Sequence, residues 1–197
     1  MFIAFEGIDG SGKTTHSKIL YDRLLRRGLK VHLTAEPTQG PIGKLVRRVL
    51  SGELSISDEG LALLFAADRV EHNLKEICPK IDEGHIVITD RYLLSSLAYQ
   101  GLKLPLNWVS QINRWARVPD VVIYLDVSPE VAIRRLKEGA KFHSLETLRM
   151  VRENYIRLLQ ERPWREISHR VNAEANIDSV SMEIIKIIED ALGEGRN

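Results

Sequence analysis

The octapeptide Gly7-Ile8-Asp9-Gly10-Ser11-Gly12-Lys13-Thr14 constrains this 197-residue chain more than any other feature. It fits G-x-x-x-x-G-K-[ST], follows the apolar run Phe2 to Glu6, and precedes a helical pattern with Ile19, Leu20 and Leu24 on one stripe. In such a loop the glycines let backbone N–H groups turn inward around phosphate oxygens. Lys13 is then expected to bridge the β and γ oxygens of a nucleoside triphosphate, and Thr14 to offer its hydroxyl to magnesium at the positive end of the helix. The expected nucleotide cradle is therefore Gly7, Ile8, Asp9, Gly10, Ser11, Gly12, Lys13, Thr14 and Thr15. Asp9 is unusual there, because a carboxylate among phosphate-binding amides repels the nucleotide unless it faces magnesium or another polar group. It is expected to point toward an acceptor sugar, the alternative being a loop residue facing water.

Strand-like runs alternate with longer helical patterns, and no repeat or low-complexity tract interrupts them. The strands are expected at Phe2 to Glu6, Val31 to Glu36, Ile86 to Asp90, Val121 to Asp126 and Arg170 to Ala173, with apolar runs that suit burial on both faces. Helices are expected from about Lys13 to Arg27 and over roughly 42–50, 57–83, 93–117, 129–138, 145–161 and 179–192. The pattern fits one α/β domain over residues 1–197 with a mainly parallel sheet. With 28 Lys and Arg against 27 Asp and Glu, the chain lacks the global basic field that would hold a nucleic acid. The single cysteine, Cys78, excludes an internal disulfide and suits the cytoplasm. The first residues reach Glu6 too soon for a signal peptide, and no apolar run approaches bilayer length, so no membrane is expected.

A regulatory GTPase would carry N-K-x-D and a D-x-x-G switch, but no N-K-x-D occurs and Asp90 is followed by Arg91-Tyr92-Leu93. The strand Ile86 to Asp90 instead ends in an acid beside a base. Asp90 can face magnesium while Arg91 neutralises a transferring or accepting phosphate, the alternative being an ordinary strand-end ion pair. The six histidines show no metal-ligand spacing and read as surface or packing residues.

Ordered motifs along nearly the whole chain resemble the thymidylate kinase family. They are Phe5 through Thr15, Glu36-Pro37-Thr38, Leu64-Phe65-Ala66-Ala67-Asp68-Arg69, Asp90-Arg91-Tyr92, Ser95-Ser96, Ala98-Tyr99-Gln100 and Asp120 to Pro129. The resemblance implies a three-layer P-loop kinase fold, a five-stranded parallel sheet flanked by helices, with a short lid at about 134–145. It implies ATP-dependent phosphorylation of dTMP to dTDP with Mg2+, and a homodimer.

Phe65 and Arg69 lie four apart on one expected helix face, an aromatic plane beside a cationic fork. Periodicity alone favours Phe65 in the core and Arg69 paired on the surface with Asp68 or Glu71. The resemblance reverses that: Phe65 stacks on thymine and Arg69 donates to its O4. It likewise implies that Ser96, Tyr99 and Gln100 line base and sugar, that Arg47 holds the acceptor phosphate, and that Glu36 and Pro37 belong to the acceptor site. Without it, Arg47-Arg48 reads equally as a solvated surface pair. A monophosphate has a second pKa of about 6 and needs no strong general base, so the task is alignment and charge neutralisation.

Some family members carry an arginine inside the phosphate loop, whereas this chain has Gly10 there. The resemblance then assigns the mobile cation to the lid, where Ala140-Lys141-Phe142-His143 replaces the Asp-Arg-Phe-Glu of many relatives. Arg135 and Lys141 are the expected catalytic cations beside Lys13, Asp90 and Arg91, and Arg134 is expected against adenine. Two other readings stand open: a P-loop kinase for a different small molecule, and a noncatalytic nucleotide-binding module, which the altered lid keeps alive.

Overall fold

Phe2, Ile3, Ala4 and Phe5 are each at most 1% exposed, because the strand they form, β1 (Phe2–Glu6), is the middle strand of the sheet and is covered on both faces. The computed structural model describes residues 1–136 and 144–193. Its other strands are β2 (Val31–Ala35), β3 (Ile86–Asp90), β4 (Val121–Asp126) and β5 (Ser168–Asn172). The spatial order is β2-β3-β1-β4-β5 and every pairing is parallel. The chain fills one side of β1 with β2 and β3, then the other with β4 and β5. That reversal puts the switch point at the carboxyl end of β1, the usual ligand position in such sheets.

The described helices are α1 (Lys13–Arg26), α2 (Pro41–Leu50), α3 (Asp58–His72), α4 (Cys78–Asp82), α5 (Leu93–Tyr99), α6 (Leu106–Ile112), α7 (Pro129–Arg135), α8 (Leu145–Leu158), α9 (Trp164–Ile167) and α10 (Ile177–Ala191). The capping residues are legible: Ser57, Ser144 and Asn176 accept from the backbone N–H of Gly60, Thr147 and Ser179. The long helix expected over 57–83 is α3 and α4 joined by a π-helical turn, Asn73–Ile77.

Two expectations change. The helix expected over 93–117 breaks into α5, a 3-10 turn at Gln100–Leu102, and α6, with Gly101 and Pro105 in the gap. Strand β5 starts at Ser168 rather than Arg170, and of its residues only Val171 is buried, as suits an edge strand. None of the described helices is long and apolar enough to cross a membrane.

Candidate functional site

The phosphate loop leaves β1 and meets α1 at Gly12, whose φ of 96° lies in the left-handed region that glycine tolerates. Gly10, at φ 80°, presses on α7: a Cβ there would stand 2.4 Å from the Ala132 carbonyl oxygen. That contact leaves no room for a side chain at this position. Inside the loop, Lys13 Nζ donates to the carbonyls of Gly7 (3.0 Å) and Ile8 (2.8 Å) and to Ser11 Oγ (3.4 Å). Burial and then the charge of Arg91 lower its pKa from 10.5 to about 8, against the pull of Asp90, Asp9 and Glu6.

At the end of β3, Asp90 accepts from the Thr14 hydroxyl, so the two expected magnesium ligands are adjacent. A hydroxyl and a carboxylate at a phosphate loop suit a hard cation that completes its shell with phosphate oxygens and water. Among the described residues no cluster of three or more His, Cys, Asp or Glu could hold a metal unaided. Arg91 follows with a φ of 70°, a conformation disfavoured for a residue with a side chain. The turn aims its guanidinium back at the phosphate loop, where Nη2 pairs with Asp9 and Nη1 donates to the Gly7 carbonyl (3.3 Å) and Ser95 Oγ (3.2 Å). Asp9 is therefore neutralised by Arg91, although its side chain remains partly exposed.

Tyr99 completes this corner. Its phenol oxygen accepts from the Asp9 N–H at 3.1 Å, its ring centroid lies 5.3 Å from the Arg91 guanidinium carbon, and burial pushes its pKa to about 12. Gln100 Oε1, on the following turn, is buried and without a hydrogen-bond partner.

Arg69 is 1% exposed, so the surface pairing with Asp68 or Glu71 does not occur. Its Nε and Nη2 both donate to Glu36 Oε2, at 2.9 and 2.6 Å, and Nη1 donates to Ser96 Oγ at 3.1 Å and to Asn113 Oδ1. Nη2 also reaches the Tyr92 carbonyl at 3.3 Å. The other Glu36 oxygen meets His72 Nδ1 at 3.1 Å, and His72 Nε2 lies 2.8 Å from Thr34 Oγ1. His72 is thus part of a buried polar network rather than ordinary packing. Asp68 accepts from the N–H and hydroxyl of Thr38, while Arg47 donates to the carbonyls of Pro37 and Thr38. Glu36, Pro37, Arg47, Arg69 and Ser96 come together around one wall, and the half-buried Phe65 lies one helical turn before Arg69.

On the lid side, Arg135 Nη1 donates to the Ala173 carbonyl at 2.8 Å, tying α7 to the turn after β5, and Arg134 is exposed. Lys141 lies outside the described residues, as do positions 137–143 of the expected lid.

Sequence reasoning missed Glu6, Tyr155 and Asn113. Glu6 is wholly buried and accepts from the N–H groups of Tyr92 (3.0 Å) and Ser95 (3.2 Å), the Ser95 hydroxyl (2.6 Å) and the Tyr155 hydroxyl (2.9 Å). Burial pushes its carboxyl up, and the bonds from Ser95 and Tyr155 oppose that shift. The available signal was an acid closing an otherwise apolar central strand, because a buried carboxylate demands donors.

A sequence profile described as thymidylate kinase matches residues 5–184. A protein of Thermococcus kodakarensis is 44% identical over 207 residues, covering 98% of this chain and all of its own length. Similar proteins occur in Pyrococcus horikoshii, 42% identical with 97% of each chain covered, and in Methanococcus aeolicus, 43% identical with 96% of each covered. All three carry the name "probable thymidylate kinase".

Proposed function

The chain belongs to the thymidylate kinase family and accordingly phosphorylates dTMP to dTDP with ATP, and we propose that Lys13 and Arg91 align and neutralise the transferring phosphate while Thr14 and Asp90 would hold a magnesium ion beside it. The observation that carries the proposal is the convergence of Lys13, Thr14, Asp90 and Arg91 on the mouth of one phosphate loop. Gly7 through Thr15 cradle the ATP phosphates. Lys13 exchanges its three loop acceptors for β and γ oxygens, and Arg91 shifts from Asp9 onto charge that develops between donor and acceptor. When bound, magnesium neutralises and orients the triphosphate.

For the acceptor, Phe65 supplies the stacking plane. Arg69 points an N–H at the Ser96 oxygen, so the Ser96 O–H is turned away as a donor. A donor there favours the thymine carbonyl over the amino group of cytosine, with Arg69, whose five N–H groups are all engaged within the protein, acting through Ser96. The free Gln100 Oε1 offers an acceptor for an N–H or O–H of the substrate. Tyr99, locked by Asp9 and Arg91, closes the sugar side against a 2′-hydroxyl. Arg47 spends N–H groups on the Glu36-Pro37-Thr38 loop and has others left for the acceptor phosphate, since a guanidinium carries five. Arg135 and Lys141 supply the closing cation, with Arg134 against adenine.

We place this single-domain enzyme in the cytoplasm, where ATP and nucleoside monophosphates are found, as a homodimer. Exposed Leu63, Leu74 and Trp115, at 49%, 66% and 71%, favour the dimer, because removing their remaining apolar area from water stabilises an association. Light scattering on the purified chain tests it.

The deciding experiment is an ADP-release assay with ATP against dTMP, dUMP, UMP, CMP, AMP and GMP, over a magnesium titration. The expected result is turnover preferring dTMP, with Thr14→Val and Asp90→Asn raising the magnesium requirement. Turnover with none of the six sinks the kinase reading, and preference for CMP or AMP sinks the acceptor site as drawn.

A further inference from the structure

The phosphoryl-transfer reading leaves the buried carboxylate of Glu6 unused. Glu6 lies at the end of β1, directly before the phosphate loop, and is 0% exposed. It cannot touch a substrate, yet it gathers four donors from two separate elements. Tyr92 and Ser95 belong to the turn and first helical residues after β3, whereas Tyr155 belongs to α8.

The direction of these bonds matters. Arg91 Nη1 donates to Ser95 Oγ, and the Ser95 hydroxyl donates onward to Glu6 Oε2. Tyr155 Oη lies 2.9 Å from both Ser95 Oγ and Glu6 Oε2. Because the carboxylate takes the Ser95 proton, the Ser95 lone pairs face Arg91. The same carboxylate holds the Tyr92 N–H, the peptide immediately after the residue with φ 70°. One buried acid therefore sets both the disfavoured turn that carries Arg91 and the acceptor that orients its guanidinium. Tyr155 is itself fixed by its ring contact with Tyr124, centroids 5.1 Å apart.

We propose that Glu6, acting with Tyr155 through Ser95, is a positioning residue that holds Arg91 at the phosphate-transfer site. Glu6→Gln preserves shape but replaces one acceptor oxygen by an amide donor, so at least one of the four bonds is lost or reversed. Arg91 then samples orientations away from the reacting phosphate. Loss of alignment lowers the rate of the bound complex more than the affinity for either substrate.

The test measures kcat and KM for ATP and dTMP in Glu6→Gln and Tyr155→Phe, with melting temperatures alongside. A fall in kcat of about tenfold or more in Glu6→Gln is expected, with both KM values within about threefold, and a smaller fall of the same kind in Tyr155→Phe. Combined with Arg91→Lys, assayed at high enzyme concentration, Glu6→Gln is expected to cost less than about twofold further, because residues acting as a unit are not additive. Unchanged kcat with a lowered melting temperature overturns the proposal, since Glu6 would then only brace the fold. Repetition of the full factor in the Arg91→Lys background also overturns it. If Glu6→Gln does not fold, Tyr155→Phe, which keeps the ring and removes one donor, carries the same comparison. The inference rests on the kinase reading, and the two fail differently: an inactive parent enzyme sinks that reading, whereas an active parent with an indifferent Glu6→Gln sinks only this one.

Discussion

ATP is expected to recharge Lys13, because burial in the empty enzyme favours its neutral amine. Burial and the neighbouring Arg91 bring its pKa from 10.5 to about 8. That difference corresponds to about 3 kcal/mol in favour of the uncharged form. For a base whose folded-state pKa is depressed, this contribution stabilises the fold above the ordinary lysine value and is lost as pH falls through about 8. Triphosphate oxygens reverse the preference, because their charge replaces the carbonyls of Gly7 and Ile8 that Lys13 now contacts. ATP binding should therefore take up a large fraction of a proton near pH 9 and much less near neutral pH. Titration calorimetry of ATP without magnesium, in buffers of different ionisation enthalpy, reads the uptake as a slope. Lys13→Arg is the control, since a guanidinium stays protonated throughout. A flat buffer dependence near pH 9 in the parent enzyme, or the same slope in Lys13→Arg, refutes the reasoning.

Arg69→Ala should not be a clean specificity probe: it strands Glu36 and His72 in the interior and is expected to cost about 3–5 kcal/mol, read in urea denaturation; a loss under about 1 kcal/mol contradicts the buried network. Asp126, which takes Arg152 and Arg170 on its two oxygens, is lowered below its usual 3.8 because these bonds outweigh burial. Its contribution is present above that value and lost as pH falls through the lowered one, so Asp126→Asn should lose about 2 kcal/mol at neutral pH and nothing in strong acid, measured by denaturation across pH. Gly10→Arg should fail to install a loop cation and should lose about 1–3 kcal/mol, because the left-handed φ and the Ala132 carbonyl both oppose a side chain; retained stability with raised kcat would show that the loop yields.

The phosphate loop and the strand ends were legible because each depends on residues close together in sequence, whereas the acceptor motifs took their meaning from the family resemblance. Gly7 to Thr14 is one turn of chain, and Phe65 with Arg69 is one turn of helix. The split of the expected 93–117 helix was partly legible too, in Gly101 and Pro105, but the apolar pattern on either side masked it. Arg69 shows where local reading stops. Its partners Glu36, Ser96 and Asn113 are 33, 27 and 44 residues away, so nothing in its own helix distinguishes a surface pair from a buried one.

The sequence by itself determined the parallel α/β class, the phosphate chemistry and the candidates for each role, because these follow from periodicity and from motifs within single turns. The tertiary structure alone decided which charges neutralise one another. Asp9 meets Arg91 across 82 residues and Glu6 meets Tyr155 across 149, pairings created only when β1, β3 and α8 converge. Buried charges must find partners wherever the fold brings them, so the electrostatics of this site belong to the sheet's strand order rather than to any segment of the chain.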